Sequence, residues 1–226
     1  LRSPFSGKRH RRIKMANPIR RPFKYCFFSA SLILIVVNLI IYFITNSSTK
    51  LMNTYGLNPG LFLYHRMYWQ IFTYMFLHGN FNHLISNMLG LFFFGFSVEK
   101  ALGSKEFLLI YFLCGILSGL FSLGYFIATD NYRTLLIGAS GALYSIMLAY
   151  AVIYPKANIY IFGLIPIPAP ILVIIYAIIE VFTQFTGLQA GIAHFAHLFG
   201  FLTAFLYFII RMGVNPLKVW KNAYFN

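Results

Sequence analysis

Acidic side chains are nearly missing: Asp and Glu together number 4 in 226 residues, and only 10% of the chain is charged. Soluble domains carry about 25% charged residues, so a solvated globular surface is excluded. Cysteine is scarce as well. Cys26 and Cys114 stand far apart, outside any CxxC or Cys/His spacing, in or next to apolar runs. They read as small buried hydrophobes rather than as a disulfide or a thiolate metal site. What fills the chain instead is 59% hydrophobic residues, with 26 Phe and 16 Tyr, a composition that suits lipid-facing helices and their interfaces. The expectation is an all-α, polytopic membrane protein of one domain.

The charge that is present is basic, net +14, and its placement carries information. Nine Lys/Arg precede residue 25 in LRSPFSGKRHRRIKMANPIRRPFKY. Such a run can bind nucleic acid, but beside a spanning segment it marks the cytoplasmic side, and no nucleic-acid partner is expected. The chain starts at Leu1, and MANPIRR begins at Met15. Residues 1–14 therefore read as a tag, an extended start or part of a targeting peptide.

A spanning helix needs about 20 apolar residues, and the sequence offers six candidates: roughly 25–45, 79–97, 106–128, a short one at 140–154, 168–185 and 190–211. The domain reading is a basic tail over 1–24, a six-helix domain over 25–211 and a short basic tail over 212–226. With the N-terminus inside, the inside segments hold 15 Lys/Arg, and the outside loops hold Lys50, Arg66 and Arg133. That bias places both termini in the cytoplasm. The first loop, 46–78, is long for a passive connector. Its Tyr64, Tyr68, Trp69, Phe72 and Tyr74 favour the headgroup level, so the loop is expected partly in the outer leaflet. PIPAP at 166–170 reads as a turn and helix start.

The fourth candidate is the informative one. Running from Ser140, it rises about 22 Å at 1.5 Å per residue, against a hydrocarbon core of about 30 Å. Pro155 and Lys156 put its end at the inner face, so Ser140 opens a helix that begins inside the membrane. The non-helical TLLIGA before it must be shielded by protein or line a wet cavity. Gly138 and Gly141 flank the serine and leave the approach open, and the free amides of a helix N-terminus suit a negative oxygen. Ser140 could be a nucleophile there. From GASG alone, an N-cap serine with packing glycines remains the simpler reading.

A nucleophilic serine needs a base. The sixth segment reads GIAHFAHLFGFLTAF, with His194 and His197 three apart on one face; histidine at membrane depth is a functional candidate by default. Ala193, Ala196, Gly200 and Ala204 surround them, and Gly141, Ser145 and Ala149 form a ridge on the fourth segment. Small residues on both would let the backbones approach closely. A second polar cluster, His78, His83 and Asn87, lies at the head of the second segment. His and Asn donors aimed at one point serve an anionic intermediate; polar contacts between helices explain either residue equally well. Glu180 lies inside the fifth segment, where a carboxylate is costly unless protonated or paired; it reads as a side chain reaching the interface, with a tuning role for the fifth segment as the alternative. Asp130 reads as solvated in an outside loop.

With these residues in hand, the sequence resembles the rhomboid family of intramembrane serine proteases. GASG at 138–141 is similar to its Gly-x-Ser-Gly, Ala196-His197-x-x-Gly200 to its histidine motif, and His83 with Asn87 to its His-x-x-x-Asn. Tyr144 matches a tyrosine that packs on the histidine, and Glu99-Lys100 with Gly103-Ser104 resembles the turn after the second helix. The likeness spans roughly 65–205. It implies a six-helix bundle with a short recessed fourth helix carrying the nucleophile, a Ser140–His197 dyad without a third carboxylate, and oxyanion stabilisation by His83, Asn87 and the Ser140 amide. Gly138, Gly141, Tyr144 and Gly200 support the site. Neither metal nor cofactor is implied. The expected substrates are transmembrane or juxtamembrane segments of single-pass proteins, the fifth helix a lateral gate, and the location a bacterial inner membrane or an organellar one. One departure stands out: the family commonly carries Trp-Arg in the first loop, and here it is Trp69-Gln70. The rival readings are a catalytically silent binder of membrane helices and a metal site built from His78, His83, His194 and His197. Substrate sequence and oligomeric state leave no signature in the chain.

Overall fold

The computed structural model describes residues 18–161, 163–186 and 194–225. The basic head before Pro18, the connector at 187–189 and the expected start of the sixth segment, with Ala193, lie outside the described residues. Among the described residues, three helices are long and apolar enough to cross a membrane: Phe81–Leu102, Ser104–Ala128 and His194–Met212. Shorter apolar helices run over Ala30–Thr45, Ser140–Ile153 and Ala169–Gln184.

The helices follow in chain order as α1 (Ala30–Thr45), α2 (Thr49–Tyr55), α3 (Pro59–Tyr64), α4 (Gln70–Thr73), α5 (Phe81–Gly90), α6 (Phe96–Leu102), α7 (Ser104–Ala128), α8 (Ser140–Ile153), α9 (Ala169–Thr186), α10 (His194–Tyr207) and α11 (Pro216–Phe225). A wider turn over Leu91–Gly95 joins α5 to α6, and another over Phe208–Met212 extends α10. α8 sits at the centre, packed by α7, α9, α10 and the α5–α6 helix. Its residues are buried nearly all round, from Gly141 to Ile153, as expected of a helix apolar on every face.

The first apolar helix begins at Ala30, five residues later than its hydropathy suggests. The cause is a cap from elsewhere in the chain. The Glu99 carboxylate accepts from the amides of Ala30 (2.6 Å) and Ser31 (2.9 Å), and from the hydroxyls of Ser31 and Ser104. It thereby satisfies amides that a helix start leaves orphaned. Ser29 just before is left-handed, at φ 57°. A run of apolar letters carries no trace of that cap.

The first loop is more ordered than a connector. Ser48 caps α2, and Asn58 caps α3 with Pro59 in its first turn. Tyr64, Tyr68, Trp69 and Phe72 are exposed, as interfacial rings should be, but Tyr74 is buried and donates its hydroxyl to the Gly115 carbonyl at 2.6 Å. Tyr74 is thus a core residue, not a headgroup anchor. Gln70, fully buried, stands where the expected arginine is absent. Its Oε1 accepts from the Asn58 amide (3.1 Å), and its Nε2 donates to the carbonyls of Asn53 (3.0 Å) and Thr54 (3.3 Å). The departure at this position keeps the loop anchored by neutral bonds.

Beyond α8, the segment expected to be a plain loop holds a hairpin. β1 (Asn158–Ile161) pairs antiparallel with β2 (Ile165–Pro168), Asn158 facing Pro168. PIPAP therefore ends a strand before it starts a helix. Proline is tolerated in so short a two-stranded edge. At the far end, α11 docks on the base of α8: Trp220 Nε1 donates to the Ala151 carbonyl (3.0 Å) and the Tyr224 hydroxyl to that of Pro155 (2.7 Å). Close by, Arg211 forks onto Glu106 through two bonds of 2.8 and 2.9 Å, tying the end of α10 to the start of α7.

Candidate active site

The backbone leading into α8 is held by protein, as the sequence requires. Leu57 and Leu136 exchange amide bonds (2.9 and 2.8 Å), the Gly138 amide donates to the Tyr74 carbonyl (2.9 Å), and the Asn58 side chain donates to the Thr134 carbonyl (3.0 Å). This non-helical strand therefore has its polar groups paired by the first loop. Gly138 then turns the chain at φ 120°, a conformation L-residues rarely adopt. A side chain there would also meet the His83 ring at 2.8 Å.

Ser140 is the first residue of α8. The N-cap is Ala139, and no side chain caps the helix. The capping role that GASG alone suggests for the serine is therefore not the one it plays. Its Oγ lies 2.7 Å from His197 Nε2 on α10. What lets the two helices come so close is Gly200 against the backbone of α8: a Cβ there would stand 2.2 Å from the Gly141 carbonyl oxygen. Gly141 makes room for α7 instead, where its Cβ would stand 2.6 Å from Ser118 Oγ. Ser145 and Ala149 on α8 and Ala196 and Ala204 on α10 are buried as well. Tyr144, one turn below Ser140, stacks on the His197 ring at 4.2 Å between centroids and 13° between planes.

His83 reaches the same region from α5, with Asn87 one turn further along the same helix. The His83 ring lies against Gly138 beside the Ser140 hydroxyl. Asn80 caps α5 by accepting from the His83 amide (2.8 Å) and so fixes where that ring starts. Asn87 spends one side-chain donor on the His83 carbonyl (2.7 Å), and its buried Oδ1 has no partner among the described residues. His78, fully buried, sets its ring edge-on to His83 at 5.1 Å. Burial, with His83 beside it, pushes the His78 imidazole down to about 4, so it is neutral at physiological pH.

One residue corrects the sequence reading. Glu180 does not reach the interface. It is buried, and its carboxylate takes the Nδ1 of His197 at 2.9 Å, the Nδ1 of His194 at 2.6 Å and the hydroxyl of Tyr144. His194, the histidine without a glycine three residues on, thus faces Glu180 and Thr183 rather than the serine. Two signals in the sequence could have found this: acids are so few that one inside an apolar helix demands a partner, and Tyr176 and Thr183 lie four before and three after it, on the same face. Glu180, His194 and His197 also bring ligand-type atoms within 4.8 Å of one another. Those atoms are the ones already hydrogen-bonded, so a divalent cation there would displace the contact on His197.

Against this geometry, a family model described as the Rhomboid domain matches residues 65–213. The chain belongs to the rhomboid family. It is similar to RHOMBOID-like protein 12, mitochondrial, of Arabidopsis thaliana, at 36% identity over 58% of this chain and 42% of that protein. It is similar to Rhomboid protease AarA of Providencia stuartii, at 33% over 59% of this chain and 52% of the relative. Rhomboid protein 1, mitochondrial, of Saccharomyces cerevisiae matches at 37% over 41% of this chain and 27% of its own length. The chain spans about half or less of the length of these relatives. Membership makes this rhomboid chain a multi-pass membrane protein and puts it in a family that includes named proteases.

Proposed function

We propose that the chain is an intramembrane serine endopeptidase that cleaves transmembrane or juxtamembrane segments of single-pass membrane proteins, with Ser140 as nucleophile and His197 as general base and acid. The observation that carries this reading is the 2.7 Å contact between His197 Nε2 and Ser140 Oγ, formed between two helices by the Gly141–Gly200 approach. On this reading six helices span the bilayer: α1, α5–α6, α7, α8, α9 and α10. α8 is short, and Ser140 opens it below the outer surface. Both termini face the cytoplasm.

In the reaction, His197 Nε2 takes the Ser140 proton as Oγ attacks the scissile carbonyl. The charge that develops on the carbonyl oxygen is met by the Ser140 amide at the helix start, by the His83 ring beside Gly138, and by the second amide hydrogen of Asn87. His197 then gives its proton to the leaving nitrogen. Water enters from the outer side to release the acyl group, with His197 again as base. A substrate helix must unwind locally, because an intact helix keeps its carbonyls bonded. Gly138 keeps a side chain from crowding the His83 ring and the Ser140 hydroxyl. The relatives bear a bacterial and two mitochondrial sources in their names and organisms, which supports a bacterial inner or a mitochondrial membrane as the location.

The test is cleavage of a model single-pass substrate by the purified full chain in detergent, with a chelator present throughout. Activity that survives the chelator and disappears in Ser140→Ala and in His197→Ala supports the proposal. Loss with the chelator alone favours a metal at the histidines. Tight binding of helices with no cleavage of any of them favours the silent binder.

A further inference from the structure

We infer that Glu180 is a positioning residue for His197, so that the site works as a Ser140–His197–Glu180 relay drawn from three separate helices. This rests on the reading of Ser140 and His197 as nucleophile and base. α9 carries no other charged residue, and its Ile178, Ile179, Val181 and Phe182 are exposed on the outside of the bundle. Glu180 alone turns a charge inward, to 6% exposure. A buried carboxylate is costly unless its lone pairs are met, and here three donors meet it. Oε1 is shared by His197 Nδ1 and the Tyr144 hydroxyl, and Oε2 takes His194 Nδ1.

That arrangement decides which proton His197 carries. An ionised carboxylate only accepts, so His197 must donate from Nδ1, and its Nε2 is left with the lone pair that faces Ser140. When Nε2 takes the serine proton, the resulting imidazolium stands beside a fixed negative charge. The Nδ1 proton stays on the ring, and Glu180 is not protonated in the step. Tyr144 enforces the same geometry from two sides, stacking on the ring of His197 while its hydroxyl holds Oε1. His194, one turn before His197 on α10, pins the other oxygen, and the Thr183 hydroxyl lies 3.1 Å from the same His194 Nδ1. The carboxylate is thereby clamped between α8 and α10, and the base depends on where α9 sits.

The experiment compares wild type, Ser140→Ala, His197→Ala, Glu180→Gln and Glu180→Asp as full chains in one detergent, with thermal unfolding measured beside kcat and KM on the same single-pass substrate. Glu180→Gln is expected to lower kcat by about 10² to 10⁴-fold, the range a lost third member can reach, with KM within about twofold. Glu180→Asp, which keeps the charge on a shorter arm, recovers part of that loss. A Glu180→Gln enzyme within about threefold of wild-type kcat, or one whose loss tracks its melting temperature and is equal in the Asp variant, overturns the inference. A measurement on unsubstituted Glu180 covers the case in which the variants do not fold. In a His194→Asn background with isotope-labelled histidine, His197 should show a strongly downfield Nδ1 proton, and an Nδ1 without a proton sinks the proposal. If wild type is inert, or Ser140→Ala cleaves as well as wild type, the protease reading falls first. If Ser140 and His197 are required and Glu180 is not, only the relay falls.

Discussion

Gly200 presses its α-carbon onto the Gly141 carbonyl so closely that a methyl group there would stand 2.2 Å from the oxygen. The obstacle is backbone, which cannot rotate away as a side chain can. Gly200→Ala must therefore push α10 off α8 and carry His197 away from Ser140. A displacement of about 1 Å at a reacting pair can cost about 10²-fold in rate. Cleavage by Gly200→Ala is expected to fall by at least that factor, with a lowered melting temperature. Near-normal kcat in a stable variant would mean that the two helices are not held by this contact.

Tyr144 gives two separable effects. Its ring stacks on His197 and its hydroxyl holds Glu180. Tyr144→Phe removes the second and keeps the first. The carboxylate then still has both histidine donors, so the expected loss in kcat is no more than about 10²-fold, the upper end of the about 1.5–3 kcal/mol that one hydrogen bond to a charged group is worth. Tyr144→Ala removes both and opens a gap beside the imidazole, so its loss should be clearly larger. Steady-state kinetics of the pair check this ordering, and equal losses would assign everything to the hydroxyl.

How far the site was legible depends on where the partners sit along the chain. Ser140 and His197 could be read because each lies in a local pattern: glycines beside a serine at the head of a short helix, and a histidine followed three residues later by Gly200. The close approach of α8 and α10 could be read from small residues at helical spacing, since that periodicity is local too. Glu180 was harder to place. The scarcity of acids and the Tyr176 and Thr183 on its face mark it as needing a partner, but its partners Tyr144, His194 and His197 come from two other helices. The Glu99 cap on α1 failed for the same reason, because the carboxylate and the amides it serves are 69 residues apart for Ala30. The hairpin over Asn158–Pro168 was missed because prolines and short apolar stretches read as a turn.

Gln70 offers a prediction remote from the chemistry. It makes three hydrogen bonds to the first loop from a fully buried position, next to the Leu57–Leu136 pairing that supports the strand into Ser140. Gln70→Ala leaves the Asn58 amide and two carbonyls without those partners. The expected cost is about 1–3 kcal/mol of stability, read as a lower melting temperature. The effect on cleavage should be smaller than that of Gly200→Ala, because the bonds from Gly138 to Tyr74 and from Asn58 to Thr134 remain. A variant as stable as wild type would show that the loop is anchored elsewhere.

The orientation of the chain can be read directly. Asp130, in the turn between α7 and α8, and Lys156, just after α8, are both exposed. They lie at opposite ends of α8. On the proposed orientation, the excess of Lys/Arg on the Lys156 side marks the cytoplasmic side. With Cys26→Ser and Cys114→Ala removing the native thiols, single cysteines at positions 130 and 156 can be treated with a membrane-impermeant thiol reagent in intact cells or sealed vesicles of known sidedness. Asp130→Cys should label from outside, and Lys156→Cys only after the membrane is opened. On the proposed reading Ser140 opens α8 on the side of residue 130, so this pattern agrees with water reaching the serine from outside. The reverse pattern would invert the protein and place the serine on the cytoplasmic side, where water and substrate would have to enter from the other face.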